Sequence, residues 1–247
     1  MIEVAEQDGV AVLRLAHGKV NAMSMEFCEA LTARFAEISS ARAVVMTATG
    51  RTFSAGVDLV RLLEGGAPYV RKFLPVLSEM FATVFSHPAP VVAAINGHAI
   101  AGGCVLACAA DKRLMARDGG RIGVTELLVG VPFPPAAMEI MRCAAAPQFF
   151  ADAIFSGTTY TPAEAVARGF VHDVVEPQAL LERAVAAAKA LAALPPKAFA
   201  LTKRQIRAPA LERMQSPELD ATIAQIWTAP ETLGRVRDYV ARTLRKS

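Results

Sequence analysis

A single acidic residue, Glu126, stands in an otherwise apolar stretch of the chain. It is the only charged residue between Arg121 and Glu139, within the run IGVTELLVGVPF. A carboxylate surrounded by apolar side chains is costly to ionise, so its pKa is expected to rise toward neutral pH. Such a group can serve as a general base near pH 7. The alternative is a glutamate that projects from a short amphipathic turn into water.

Two glycine-bearing turns precede this glutamate, each after an apolar run typical of a buried strand. The first is TFSAGVDL, which contains Gly56, and the second is NGHAIAGGC, which contains Gly102. Glycine permits a tight turn, and the first N–H groups of a following helix have no partner within that helix. One such turn can be an ordinary connection or a close crossing of two segments. Two of them together favour a pair of N–H donors for a ligand oxyanion.

The elements that must hold these residues alternate between strand and helix in the first half of the chain. Alternating polarity predicts a strand over residues 10–16 after an Asp8-Gly9 turn. Continuous apolar runs predict strands buried on both faces over residues 43–48 and 90–95. Ser24 predicts the N-cap of a helix that reaches about residue 39, and small residues predict a helix over 103–110.

Helix signals dominate the second half. Thr161 and Glu164 form a capping-box pattern with proline between them, so a helix is expected to begin there, followed by a short strand over residues 170–175. Beyond residue 178, the pattern predicts helices that are broken at proline positions. These are Pro195, Pro196, Pro209, Pro217 and Pro230. The chain is therefore interpreted as an α/β core over residues 1–195 and a helical extension over 196–247.

Composition narrows the classes of function. The net charge of +3 comes without a basic patch interleaved with aromatic residues, which argues against nucleic acid as a partner. The most apolar stretch, residues 91–110, contains Asn96, His98 and three glycines, so a membrane helix is not expected. Four cysteines and four histidines show no metal-ligand or disulfide spacing. With no signal-peptide pattern at the N-terminus, a cytoplasmic protein without a metal is predicted.

The three segments, in this order and spacing, resemble the crotonase superfamily, the enoyl-CoA hydratase/isomerase family. The resemblance extends over residues 10–195 and includes the capping-box helix and its Gly169 end. It implies an α/β fold built as a spiral of ββα turns, with a helical C-terminal region that forms trimers or dimers of trimers. It also implies an acyl-CoA thioester substrate and no separate cofactor, because coenzyme A is part of that substrate.

The resemblance also implies roles for individual residues. The two backbone N–H donors of the family fall by motif on Ala55 and Gly102, and the acid–base residue falls on Glu126. The first turn would also line the cleft that binds the substrate. The residues implied in substrate binding are Ser54, Val57, Asp58 and Leu59, together with Gly103 of the second turn.

Two departures separate this chain from the hydratases that it resembles. Hydratases use two glutamates, and this chain has Val105 at the position of the first. They also carry a glycine-rich segment where this chain has Pro132-Phe133-Pro134-Pro135. Addition of water needs an activated water and a proton for the α-carbon, work that two carboxylates divide. A double-bond shift needs one, so the pattern favours a Δ3,Δ2-enoyl-CoA isomerase.

Several alternatives remain open at this point. They are a hydratase by descent, another enolate reaction such as decarboxylation or C–C bond formation, a non-catalytic acyl-CoA binder, and an RNA-binding relative. Asp111 is interpreted as an ion pair with the adjacent Lys112 and Arg113. Minor candidates are Glu64 as a second acid, His98 in the glycine turn, and Lys203 and Arg204 as contacts to the phosphates of coenzyme A.

Overall fold

Two β-sheets form the framework of a computed structural model that describes residues 1–244. Nine strands are found within these residues. They are β1 (Ile2–Gln7), β2 (Val10–Leu15), β3 (Val44–Ala48), β4 (Thr52–Ser54), β5 (Val91–Ile95), β6 (His98–Ile100), β7 (Lys112–Ala116), β8 (Ile122–Gly123) and β9 (Asp173–Val175). One sheet has the order β1-β2-β3-β5-β7-β9 and the other has the order β4-β6-β8.

Helices surround the sheets. They are α1 (Met25–Glu37), α2 (Leu59–Ser86), α3 (Gly102–Cys108), α4 (Glu126–Val129), α5 (Pro135–Ala144), α6 (Pro147–Ser156), α7 (Pro162–Ala167), α8 (Leu180–Ala192), α9 (Pro196–Arg213), α10 (Pro217–Thr228) and α11 (Pro230–Leu244). α2 is interrupted at Gly66, whose φ of 59° and ψ of −159° are not helical.

Three successive β-β-α units follow one another along the chain. These units are β3-β4-α2, β5-β6-α3 and β7-β8-α4. In each unit, the first strand belongs to the large sheet and the second belongs to the small sheet. Within each sheet, the strands of successive units pair in parallel. The predicted α/β spiral of ββα turns is confirmed.

Local signals explain how several elements begin. Asp8 and Gly9 both have positive φ, which is the requirement of the tight turn that joins β1 to its antiparallel partner β2. Ser24 caps α1 by accepting the Phe27 N–H, and the Thr161–Glu164 capping box at α7 is formed in both directions. These two helix starts are confirmed as predicted.

The central strands of the large sheet are buried on both faces, which explains their continuous apolar runs. Alternate residues such as Leu13, Met46 and Ile95 contact the main core. The intervening residues, such as Val45 and Val92, pack against α8 on the other face. Every residue of β3 and β5 is buried, in agreement with the prediction for both runs.

The last helices begin at the predicted prolines, with one exception. Pro196, Pro217 and Pro230 each open a helix, whereas Pro209 lies inside α9, and the predicted break there is wrong. α9 is fixed on both sides of Pro209, by buried Lys203 and Arg207 before it and buried Ala210 after it. Tertiary contacts therefore offset the one backbone hydrogen bond that proline cannot make.

A buried ion cluster docks α9 on the core. Asp111 Oδ2 lies 2.7 Å from Lys203 Nζ, and Asp111 Oδ1 lies 2.8 Å from Arg207 Nη2. Asp111 also accepts the Val91 N–H at 2.7 Å, and Arg207 lies over the Phe85 ring and donates to the Phe85 carbonyl. The predicted pairing of Asp111 with its sequence neighbours is therefore wrong, because its partners come from a helix about 90 residues away.

The described part of the predicted extension, residues 196–244, is almost wholly helical. Residues 245–247 of that predicted extension lie outside the described part of the chain. The division at residue 195 into two units stays a prediction. No single described helix is long and apolar enough to cross a membrane. The bent helix pair Pro177–Ala192 and Pro196–Arg213 reaches the length and apolar composition of a membrane span only when its two helices are taken together.

Candidate active site

The small sheet brings the three predicted site segments to one edge. β4, β6 and β8 pair in parallel, so their carboxyl ends face the same way. Each strand leads within five residues into a helix, namely α2, α3 and α4. Three helix N-termini, with their unpaired N–H groups, therefore converge on one region.

The first turn has its free donor at Val57. The Ala55 N–H donates to the Val20 carbonyl at 3.0 Å, so it is not free, contrary to the motif-based prediction. Val57 forms a parallel β-bridge with Met23. The hydrogen bonds of this bridge are made by the residues on either side of Val57: the Gly56 carbonyl accepts the Met23 N–H, and the Asp58 N–H donates to the Met23 carbonyl. The Val57 N–H consequently points away from Met23, and no residue in 1–244 accepts it.

The second turn presents the N–H of Gly102, the first residue of α3. No acceptor for this N–H is found within the described chain. Ala101, which precedes it, has a φ of 51°, an uncommon conformation for a residue with a side chain. Its own N–H donates to Gly123 at 2.8 Å, and its carbonyl accepts the N–H groups of Cys104 and Val105. These bonds hold the strained residue in place and so fix the direction of the Gly102 N–H.

Glycine at position 56 allows the two turns to touch. A Cβ added to Gly56 would lie 2.9 Å from the Ile100 carbonyl oxygen and 3.0 Å from the Gly102 nitrogen. The φ of Gly56 is also positive, at 84°. Only glycine meets both conditions, so the close approach of the two donors depends on this residue.

Glu126 begins α4 and lies in the same region. Its side chain is buried, and among the described residues its Oε2 atom has no hydrogen-bond partner. Burial raises the pKa of this carboxyl to about 7, and hydrogen bonds from the backbone of Glu126 and Thr125 only partly oppose the rise. The side chain does not project into water, and it carries an unpaired oxygen that can take or give a proton near neutral pH.

A cavity of about 70 Å³ joins these groups. Of the predicted site residues, Ala55, Val57, Leu59, Gly102 and Glu126 line it. The other predicted residues shape the turns instead. Ser54 is buried and donates to the Asn21 carbonyl, Asp58 accepts the Arg61 N–H and caps α2, and Gly103 lies so close to the Ser54 carbonyl that a Cβ would come within 2.1 Å.

The minor candidates lie elsewhere or are already paired. Glu64 is exposed on α2, and His98 is exposed and accepts the Arg121 N–H. Lys203 is buried in the ion cluster with Asp111, so it is not free to meet a phosphate. Within the described chain, no group of three or more His, Cys, Asp or Glu side chains could hold a metal ion.

Several lining residues were not predicted from the sequence. Leu77 and Phe81 come from α2, Ala137 comes from α5, and Trp227 and Tyr239 come from α10 and α11. The four-residue spacing of Phe73, Leu77 and Phe81 is a helical signal that could have indicated the apolar face of α2. No local pattern connects Trp227 with a turn more than 100 residues earlier.

Comparison with known proteins places this geometry in a family. The sequence model of the enoyl-CoA hydratase/isomerase family matches residues 5–229. The chain belongs to the enoyl-CoA hydratase/isomerase family. The predicted crotonase resemblance is thereby confirmed, and the spiral, the convergent turns and Glu126 can be compared with named relatives.

The names of similar proteins divide between two activities. The chain is 37% identical to a putative enoyl-CoA hydratase of Thermus thermophilus, over 68% of this chain and 66% of that protein. It is 31% identical to a probable enoyl-CoA hydratase of Mycobacterium tuberculosis, over 82% and 78%. The solved human mitochondrial Δ3,Δ2-enoyl-CoA isomerase superposes with a TM-score of 0.94 at 25% identity, over 100% of this chain and 99% of that one.

Proposed function

We propose that this protein is a Δ3,Δ2-enoyl-CoA isomerase that uses one carboxylate. Ionised Glu126 removes a proton from C2 of a 3-enoyl-CoA. The electron pair of that C–H bond delocalises into the thioester carbonyl and the C3–C4 double bond, giving a dienolate. The protonated carboxyl then returns the proton at C4, which leaves the double bond between C2 and C3. Nothing is consumed, so one acid–base group is sufficient.

The N–H groups of Val57 and Gly102 hold the dienolate oxygen in this proposal. No residue within 1–244 accepts a hydrogen bond from either group, and Gly56 keeps the two turns in contact. A preorganised donor at a developing oxyanion is worth about 3 kcal/mol, or roughly a hundredfold in rate. Ala55, at the exposed end of the cavity, contributes its side chain and not its N–H.

The observation that carries the choice of isomerase is that Glu126 is the only carboxylate lining the cavity among the described residues. Val105 is fully buried in the core and has no proton to exchange. A hydratase reaction would lack a second acid to position and activate water. The hydratase names of several relatives keep hydration as the second candidate.

The same proposal extends to the setting of the enzyme. The substrate is an acyl-CoA thioester, no separate cofactor takes part, and the protein works in the cytoplasm as a homotrimer or a dimer of trimers. Three buried thiols and an exposed one, all free, suit a reducing compartment.

A pair of absorbance assays tests the function. The protein is incubated with 3-enoyl-CoA and, separately, with 2-enoyl-CoA, and formation or loss of the conjugated thioester is followed. We expect conversion of the first and no hydration of the second. Rapid hydration of 2-enoyl-CoA would instead establish the hydratase. Glu126→Gln is expected to lower the activity by a factor of about 100 or more, because it removes the acid–base group.

A further inference from the structure

A side chain from the C-terminal helices forms part of the cavity wall. Trp227 on α10 lines the cavity and is only 2% exposed. Its indole Nε1–H donates to the Pro132 carbonyl at 2.8 Å, a residue in the segment that follows the Glu126 helix. The indole is therefore held at a fixed orientation against the wall of the site.

The cavity has an outer end and an inner end. At the outer end, Ala55 is exposed, and Val57 and Ala101 are partly exposed. At the inner end, Leu77, Phe81 and Trp227 are almost completely buried. A thioester carbonyl bound to the N–H groups of the two turns would place its large CoA portion at the outer end. Its acyl chain must then extend toward the inner end.

Phe81 forms the floor beneath the second donor. A Cβ placed on Gly102 would lie 3.6 Å from Cζ of the Phe81 ring, which is ordinary contact distance. Trp227 and Phe81 thus both line the cavity on the side away from its exposed end. The cavity measures about 70 Å³, about half the roughly 150 Å³ of an engineered cavity that binds the six carbons of benzene. By this proportion the cavity, which also has to hold the thioester carbonyl, has room for an acyl group of only a few carbons, and four is the fewest that a 3-enoyl group can have.

We infer that Trp227 sets an upper limit on acyl length and that the substrate is a short-chain acyl-CoA, with four carbons in the acyl group. This inference rests on the proposed function for the reaction but not for binding. Displacing the indole would break its bond to Pro132 and would open the apolar cluster that it shares with Val131, Ile223 and Val236. A longer chain therefore meets a wall that is fixed by two helices and cannot swing aside cheaply.

The test compares chain lengths in the wild type and in Trp227→Ala. For the wild type we expect kcat/KM for 3-octenoyl-CoA to be lower than for 3-butenoyl-CoA by a factor of about 100 or more, since each methylene forced into a closed pocket is worth at least about tenfold. In Trp227→Ala we expect the preference for 3-butenoyl-CoA over 3-octenoyl-CoA to fall by about tenfold or more, because kcat/KM for the longer substrate rises. Equal use of both substrates by the wild type would overturn the inference.

A matched variant separates cavity opening from loosening of the helix. Ile223 lies one turn earlier on α10, in the same apolar cluster, but does not line the cavity. Ile223→Ala is expected to lower stability and to leave the chain-length ratio unchanged. A variant Trp227→Ala that folds and still rejects the longer chain contradicts the role of Trp227. If Trp227→Ala does not fold, Trp227→Leu provides the same comparison with a smaller truncation.

Binding provides a readout that does not depend on the reaction. Trp227 is the only tryptophan of the chain, so all intrinsic indole fluorescence comes from a residue that lines the cavity. Saturated butyryl-CoA is expected to change this emission at lower concentration than octanoyl-CoA. If neither enoyl substrate is isomerised but butyryl-CoA binds more tightly, the proposed function fails and the size limit stands. Tighter binding of octanoyl-CoA overturns the size limit whatever the reaction is.

Discussion

At the scale of single residues, the proposed chemistry depends on a conflict between burial and charge at Glu126. The apolar surroundings raise the pKa of its carboxyl to about 7, so the group is about half ionised at neutral pH. A carboxyl at its ordinary pKa would hold the proton too weakly to return it at C4, and one at a much higher pKa would rarely be ionised. The burial that is costly for folding is thus what suits the residue to its proposed role.

The first prediction concerns the pH dependence of the rate. Because the proposed base must be ionised in the free enzyme, kcat/KM should rise with pH through an apparent pKa of about 7 and level off above it. The measurement is the initial rate of isomerisation between pH 5.5 and 8.5. A profile that is flat across this range would contradict the assignment of Glu126.

A second prediction concerns stability and uses the same group. The pKa of Glu126 is raised in the folded state, so the folded protein binds this proton more tightly than the unfolded chain. The stabilisation is complete below the unfolded value of 4.5 and is lost as the pH rises through about 7. At pH 8, Glu126→Gln should therefore be more stable than the wild type, by on the order of 3 kcal/mol at most.

Urea unfolding of both proteins at pH 4.5, 6 and 8 measures this difference. All other groups titrate alike in the two proteins, so the difference between the two unfolding free energies isolates position 126. The gap should widen from pH 4.5 to 8. A difference in unfolding free energy that stays constant with pH would mean that burial does not raise the pKa of this carboxyl.

The third prediction concerns Gly56, where the two turns meet. Gly56→Ala adds a Cβ at 2.9 Å from the Ile100 carbonyl oxygen, at a residue with positive φ. We expect loss of both stability and isomerisation, because the Val57 and Gly102 donors are forced apart. Gly9→Ala is the matched control, since Gly9 also has positive φ but a Cβ there would meet nothing within 4 Å.

The two variants separate strain from collision. Gly9→Ala should cost about 1 kcal/mol of stability through backbone strain and leave the rate unchanged. Gly56→Ala should cost more and reduce kcat/KM by a factor of about 100, as expected when an oxyanion donor is lost. Full activity in a folded Gly56→Ala protein would show that the two turns do not form a common donor pair.

At the scale of elements, the small parallel sheet is what assembles the site. Three short strands, β4, β6 and β8, place three helix starts side by side, although the segments lie up to about 70 residues apart in the chain. The ion cluster at Asp111 works at the same scale, because it joins the start of β5 to α9 through Lys203 and Arg207. Both arrangements fix the position of whole elements and not only of single side chains.

The fourth prediction tests how α9 is held. Asp111→Asn leaves Lys203 and Arg207 buried with a neutral partner, and loss of one member of a buried ion cluster typically costs about 3 to 5 kcal/mol. The measurement is the urea midpoint or the Tm. Glu176→Gln, which removes the exposed partner of Arg117, is the control and should change neither. A small effect of Asp111→Asn would mean that apolar contacts alone dock the helix.

At the scale of the whole molecule, the C-terminal helices complete a site whose chemical groups all come from the first 130 residues. Trp227 and Tyr239 return to the cavity, and Ile223, Trp227 and Val236 form one cluster with Leu62, Leu74 and Val131. The end of the chain therefore lines the pocket, while the beginning supplies the proposed donors and the proposed base.

The fifth prediction belongs to this scale. The resemblance implies assembly into trimers or dimers of trimers, and we expect light scattering after gel filtration to give three or six times the 26.2 kDa of one chain. A mass of one chain at micromolar concentration would refute the proposed assembly. Catalysis by such a monomer would show in addition that each chain carries a complete site.

The sequence by itself determined those features that depend on residues close together in the chain. The caps of α1 and α7, the doubly buried strands β3 and β5 and the apolar surroundings of Glu126 all follow from residues near one another in the chain, and each was predicted from them. The order of the two glycine turns and the glutamate was enough to indicate the family. These features depend on side-chain periodicity and backbone sterics, which act over a few residues.

Only the tertiary structure decided the rest. Whether the Ala55 or the Val57 N–H is free depends on pairing with residues 20 and 23, about 35 positions earlier. Pro209 stays helical because α9 is anchored to Asp111, and the wall of the cavity includes Trp227, which lies about 100 residues from Glu126. In each case the deciding contact joins segments that are distant in the chain, and the free energy of such contacts is not encoded in any local pattern.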